Sequence, residues 1–175
     1  MNKKIKISEA KIKDIPGILN IQEIVWVELY ENKKLGIYKK DIVESMRPKS
    51  EDIKKIWKRV IRTRRDSEGK SKTWIVKDKN KIVGFSYAVK KPARGEIRSI
   101  YMLPKYQGKG IGKSLMISMI DWLGGKKPIT LEVANYAKKT IKFYKKLGFE
   151  KTGKISYQKL NSGKKIIECE MELSF

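Results

Sequence analysis

Gln107-Gly108-Lys109-Gly110-Ile111-Gly112-Lys113-Ser114 is the stretch on which the reading of this 175-residue chain turns. Before it stands a run with strand character, Glu96 to Leu103, stopped by Pro104. After it comes an apolar helical run from about Gly110 to Leu123, ended by Gly124-Gly125. Glycines between a strand and a helix let successive backbone N–H groups point into one concave site, and the helix adds its positive N-terminal end. Lys109 and Lys113 add charge. A loop of this kind holds a phosphate or pyrophosphate. The dinucleotide pattern G-x-G-x-x-G does not fit, because counting from Gly108 and Gly110 its third glycine falls on Lys113. The pattern G-x-x-x-x-G-K-[ST] ends well on Gly112-Lys113-Ser114 but begins on Gln107. The next strand, Ile129 to Val133, also lacks an Asp to hold magnesium, so nucleotide hydrolysis fits poorly.

Outward from the loop, the pattern is mixed. Lys3 to Ile7 alternates as an opening strand, and Asp14 before Ile15-Pro16 predicts the N-cap of a helix running to Tyr30. A second helix is predicted over about Ser50 to Arg65, with Ile53, Ile56, Trp57, Val60 and Ile61 on one face. Thr73 to Lys77 and Ile82 to Val89 flank a hairpin turn at Asp78-Lys79-Asn80-Lys81. Beyond the loop lie a short strand at Ile129 to Val133, a helix over Lys138 to Leu147 capped by Gly148, and strands near Phe149 to Ile155 and Ile166 to Leu173. The order β-α-α-β-β-β-α-β-α-β-β, with no repeat or linker, predicts one α/β domain over 1–175 built on a single mixed sheet.

Composition narrows the chemistry. There is no histidine, which rules out Ser-His-Asp and Cys-His mechanisms, and Cys169 is alone, which rules out an intrachain disulfide or a Cys-rich zinc site. No metal is expected. The work falls to carboxylate, tyrosine, lysine or backbone groups. No run approaches the length of a bilayer span, and the basic start at Met1 to Glu9 has no apolar segment behind it, so a cytoplasmic protein without membrane attachment is expected. A formal charge of +23 favours anionic partners, although the lysines are spread through the whole chain as in a lysine-rich or heat-adapted proteome.

Gln107, Gly110 and Gly112 also form Gln-x-x-Gly-x-Gly, and in this the sequence resembles the GNAT acetyltransferase superfamily. Glu96 to Pro104 looks like that family's fourth strand entering its pyrophosphate loop, and Ile82-Val83-Gly84-Phe85 like its third strand. Phe143-Tyr144-Lys145-Lys146-Leu147-Gly148-Phe149 is similar to the family's F-Y-x-K-x-G-F ending of helix 4. The resemblance implies a GNAT-like fold with splayed central strands, acetyl-CoA as cosubstrate, and acetyl transfer to an amine. It implies that Ile100, Tyr101 and Met102 bind the pantetheine arm, and that Gln107, Gly108, Lys109, Gly110, Ile111, Gly112 and Lys113, with Lys146, hold the pyrophosphate. Tyr144 becomes the acid for the leaving thiolate, since a phenol is protonated at neutral pH. Glu96 and Glu132 both occupy base positions, and an embedded carboxylate suits a base. The family's usual asparagine seven residues before the tyrosine is here Ala137, with Asn135 two residues earlier.

Two further features bear on partners. Residues 14–31 carry Asp14, Glu23, Glu28 and Glu31 with no lysine or arginine, so Glu23, Glu28 or Glu31 is expected to draw a cationic acceptor such as a polyamine, a lysine side chain or a peptide amino-terminus. From Lys54 to Lys72 nine basic residues accompany Trp57, which opens a nucleic-acid- or ribosome-associated reading, though no recognised motif goes with them. A homodimer and an acetyl-CoA-binding module without catalysis stay open beside these.

Overall fold

The computed structural model describes residues 5–46, 52, 55, 69–125 and 127–175. Seven strands form one sheet: β1 (Ile5–Glu9), β2 (Ser71–Asp78), β3 (Lys81–Lys90), β4 (Gly95–Met102), β5 (Ile129–Ala134), β6 (Glu150–Lys159) and β7 (Lys165–Leu173). Their spatial order is β1-β2-β3-β4-β5-β7-β6. Every neighbouring pair is antiparallel except β4 and β5, which run parallel. The expected turn between β2 and β3 is present, with Lys79 at a positive φ of 53°.

Four described α-helices cover the sheet: α1 (Ile15–Tyr30), α2 (Lys39–Met46), α3 (Ile111–Leu123) and α4 (Lys138–Lys145). The side-chain period of α1 places Ile15, Ile18, Ile21 and Val25 against Ile75 and Phe85. On the opposite face, Leu115, Met116 and Met119 of α3 and Ile141 of α4 pack on Val76, Ile97, Leu131 and Met171. Strand alternation explains the division, because neighbouring residues of β2 such as Trp74, Ile75 and Val76 point to opposite sides.

The helix predicted over Ser50 to Arg65 falls outside the described residues except at Asp52 and Lys55, both helical. Helix α2, unmarked by any apolar period in the sequence, is short and polar. It is held instead by Asp41, whose carboxylate accepts from the Tyr38 N–H and from Lys164 Nζ, each at 2.8 Å. Asp14 requires a correction: its side chain makes no capping bond to α1. It accepts from the Lys11 N–H at 2.9 Å and from Lys77 Nζ at 2.8 Å, fastening the start of the helix to β2.

One irregularity decides where a site can form. Tyr87 faces Ser99 and Ala88 faces Ile97, so Arg98 is an extra residue in β4. The parallel ladder to β5 covers Gly95, Glu96 and Ile97 and then stops. Beyond it β4 stays with β3 and β5 stays with β7, and the two central strands part.

Candidate functional site

From Met102 the chain passes through a 3₁₀ turn at Pro104–Tyr106 and enters the glycine loop. Gly108 and Gly110 take φ of 72° and 78°, a conformation side-chain-bearing residues avoid. Gly110 is the N-cap of α3, and the first helical bond runs from the Ser114 N–H to the Gly110 carbonyl at 3.1 Å. Among the described residues, the amides from Gly108 to Lys113 have no backbone acceptor. Six consecutive free N–H groups at a helix N-terminus make a positive cradle without any side chain. The Gln107 side chain does not point to the cradle as a ligand. Its Nε2 donates to the Met102 carbonyl at 3.0 Å and fixes the loop to the strand end.

The cradle opens on a cleft of about 850 Å³ where β4 and β5 part. Ile100, Tyr101 and Met102 form one wall. Gln107, Gly108, Gly110, Gly112 and Lys113 form its loop end, and Lys146 adds a charge at the end of α4. Tyr144 and Glu132 also line it. Lys109 does not: it is exposed and its Nζ lies 5.7 Å from the Tyr106 ring centre. The Ile111 side chain turns into the core, so only its backbone can serve the cradle.

The two glutamates singled out from sequence differ in setting. Glu96 is 6% exposed and does not line the cleft. Its Oε1 accepts from Arg94 Nε at 3.0 Å and Nη2 at 2.9 Å, and its Oε2 accepts from Arg98. Burial raises its carboxyl, but the two guanidinium groups outweigh burial and hold it below its ordinary value. Glu132 is exposed on the cleft wall and accepts from Ser156 Oγ at 2.8 Å. Tyr144 is 6% exposed, with ring centres of Phe143 at 5.4 Å and Phe149 at 6.0 Å. Burial, then the neighbouring Tyr101, pushes its phenol well up, so its proton stays on oxygen at neutral pH.

The family model of the acetyltransferase (GNAT) family matches residues 26–149, well over half of the sequence. The chain belongs to the GNAT acetyltransferase family. Solved structures agree in fold. PaiA N-acetyltransferase from Thermoplasma acidophilum, in complex with coenzyme A, is 21% identical with a TM-score of 0.76, covering 98% of this chain and 99% of that one. The yncA protein of Salmonella typhimurium, with acetyl-CoA, is 18% identical with a TM-score of 0.71, covering 97% and 93%. Ribosomal-protein-alanine N-acetyltransferase from Brucella melitensis is 16% identical with a TM-score of 0.67, covering 97% and 99%. No curated protein sequence matches the chain.

Several residues of this GNAT chain's cleft carried no sequence signal. Val25, Leu29 and Tyr30 of α1 line it, whereas Glu23, Glu28 and Glu31 do not. Glu31 is engaged elsewhere, accepting from the Lys39 N–H at 3.1 Å. Asn135 is exposed and outside the lining; its N–H extends the sheet by bonding the Ile167 carbonyl at 3.0 Å. Asn135 therefore does not turn inward to replace the asparagine absent at Ala137. Glu168 on β7 was also missed, and no motif could have found it. Burial, then the charge of Glu132, lifts its carboxyl to about 7.

Proposed function

We propose that the chain transfers the acetyl group of acetyl-CoA to a primary amine: a polyamine, another small amine, or the amino-terminus or a lysine of a protein. One observation supports this above the rest. The cleft between β4 and β5 is continuous from the free amides of Gly108 to Lys113, past the β4 backbone, to Tyr144 and Glu132. A diphosphate on a long thin arm that ends in a thioester fits such a path. The amides hold the phosphates, Ile100, Tyr101 and Met102 flank the arm, and the thioester reaches the point where the strands part. There, a β4 N–H aimed at the thioester oxygen stabilises the developing oxyanion.

The reaction balances as R–NH₃⁺ plus acetyl–S–CoA giving R–NH–acetyl, CoA–SH and one proton. The ammonium loses a proton to a carboxylate, the freed lone pair forms the N–C bond, and the C–S bond breaks. The second nitrogen proton balances the one the sulfur gains from the Tyr144 hydroxyl. The desolvation that raises Tyr144 also makes a bare thiolate costly at the same place, so donation there is matched to need. Glu132 stands at the cleft, while Glu96 is held by arginines, and this favours Glu132 as the base. Glu132 stands in reach of solvent, so water can complete the transfer.

The test is thiol release from acetyl-CoA with a panel of spermidine, amino acids and lysine peptides, alongside calorimetry with acetyl-CoA. Turnover with at least one amine is expected. Binding without turnover on any acceptor leaves a non-catalytic module, and no binding removes the reading altogether. The rival nucleic-acid or ribosome reading rests on Lys54 to Lys72, a stretch mostly outside the described residues, and no structural observation favours it. The Brucella neighbour makes a protein amino-terminus a reasonable member of the panel.

A further inference from the structure

On the face of the sheet opposite α3 and α4, β4, β5 and β7 present five glutamates: Glu96, Glu132, Glu168, Glu170 and Glu172. Four of them have partners. Glu96 binds Arg94 and Arg98. Glu170 takes Thr152 Oγ1 at 2.9 Å, Lys154 at 3.2 Å and Arg94 at 3.7 Å. Glu172 takes Ser174 Oγ at 3.0 Å, and Glu132 takes Ser156 Oγ at 2.8 Å. Glu168 has no hydrogen bond or ion pair among the described residues, in a chain of net charge +23.

Among the described residues, the charge that raises it is that of another carboxylate, Glu132. Ser156 lies directly opposite Glu168 in the β6–β7 ladder, yet its hydroxyl serves Glu132. Glu168 stands opposite Ala134, and Glu132 opposite Glu170, so Glu132 and Glu168 are diagonal neighbours on one face. Such diagonal pairs sit about 7–8 Å apart and lie within reach of long side chains. Around Glu168 stand the phenols of Tyr30 from α1, Tyr101 from β4 and Tyr136 from the turn after β5. All three are raised by burial and stay neutral at physiological pH. Tyr30 and Tyr101 line the cleft, as do Glu132 and Ala134. Glu168 itself is not among the lining residues.

We infer that Glu132 and Glu168 work as a pair sharing one proton, Glu132 taking the proton of the incoming ammonium and Glu168 setting how strongly Glu132 takes it. The inference rests on the acetyl-transfer reading above. Two neighbouring carboxylates, one exposed at the cleft and one partly buried with no ion pair among the described residues, avoid full double ionisation by keeping a proton. The Ser156 hydroxyl donates to Glu132, and no donor among the described residues reaches Glu168, so the retained proton sits on Glu168, consistent with its rise to about 7. When the pair has lost that proton, an arriving cation meets two negative charges, and its proton passes from nitrogen to a Glu132 oxygen. Glu168 touches neither the acetyl group nor the sulfur; it is a positioning residue for the proton.

The experiment uses the full chain, acetyl-CoA, and spermidine and a lysine peptide as acceptors. For the wild type, kcat/KM is expected to rise with pH through a limb near 7, matching Glu168. In Glu168→Gln the limb should move down by about two pH units, toward an ordinary glutamate, and kcat should fall about tenfold because the base is weaker. Coenzyme A affinity by calorimetry should stay within about twofold, which separates this effect from misfolding. Glu168→Asp should restore the limb. In ¹³C-carboxyl spectra the wild type should show one glutamate titrating near 7, lost in Glu168→Gln and lowered in Glu132→Gln. A turning-over wild type whose limb is unchanged in Glu168→Gln, or whose glutamates all titrate in the ordinary range, overturns the pair alone. A wild type that binds acetyl-CoA but releases no thiol on either acceptor overturns the transfer reading, and this role with it.

Discussion

The Gln107 side-chain amide donates to the Met102 carbonyl at 3.0 Å and so ties the loop's first residue to the last residue of β4. The bond closes the angle at which the strand hands over to the cradle, and it does so without using any of the free amides. Replacing Gln107 by Ala removes a hydrogen bond worth about 1 kcal/mol and should weaken acetyl-CoA binding roughly fivefold. Because the proposed acid and base, Tyr144 and Glu132, lie outside the loop, kcat should change less than about twofold. Calorimetry and saturation kinetics separate the two, and an unaltered affinity would show that the glycines hold the turn unaided.

Tyr144 is buried and lines the cleft, and no hydrogen bond of its hydroxyl occurs among the described residues. Tyr144→Phe keeps the ring packing against Phe149 and deletes only the donor. We expect kcat to fall by about 10- to 100-fold with coenzyme A affinity within roughly threefold. Equal losses in both would mean that the tyrosine binds the cofactor instead of donating a proton.

Glu132 and Glu96 give opposite outcomes if the geometry is right. Glu132→Gln should lower kcat/KM by about 100-fold at saturating coenzyme. Glu96→Gln should leave kcat/KM within about threefold and cost about 1 kcal/mol of stability, since half-exposed arginines keep water when they lose the carboxylate. A Glu96→Gln enzyme as dead as Glu132→Gln would move the base to β4.

Asp14 is 5% exposed and paired with Lys77. Asp14→Ala leaves the lysine and the Lys11 amide without their acceptor, and unfolding free energy should drop by about 2 kcal/mol. For a chain of this length that corresponds to a Tm roughly 4–8 °C lower in a thermal scan. Activity per folded molecule should hold, because the pair lies outside the cleft.

The raised Glu168 carboxyl also makes stability depend on pH. The folded state keeps a proton between the ordinary 4.5 and about 7, where the unfolded chain has lost it. Unfolding therefore releases a proton in that window, and stability falls as pH rises through it. Allowing for partial exposure, the loss should be about 1–2 kcal/mol, read from urea midpoints at about pH 5 and about pH 8. Glu168→Gln should flatten the slope, and an equal slope in both proteins would assign it to other groups.

Much of this molecule is local and therefore legible in one dimension. Gly108 and Gly110 lie at positive φ because the turn demands it, and that demand is set by the residues themselves. The apolar period of α1 and α3 and the alternation of β2 and β3 carry the core in the same local way. The F-Y-x-K-x-G-F segment marked Tyr144 and Lys146, and both line the cleft. The polar helix α2 escaped because a fold-spanning Lys164–Asp41 contact holds it, and no window of sequence contains both residues.

The sequence alone therefore carried the succession of strands, the glycine loop and the family, all of which depend on neighbours along the chain. Tertiary structure alone decided which glutamate reaches the cleft. Glu96 and Glu132 look alike as strand glutamates, but the extra residue Arg98 and the ending of the β4–β5 ladder at Ile97 lock one in arginines and leave the other at the cleft. Glu168 acquires its raised carboxyl from burial and from the charge of a residue 36 positions away. Proton affinity follows burial and the distance between charges in space, and those quantities exist only once the strands have paired.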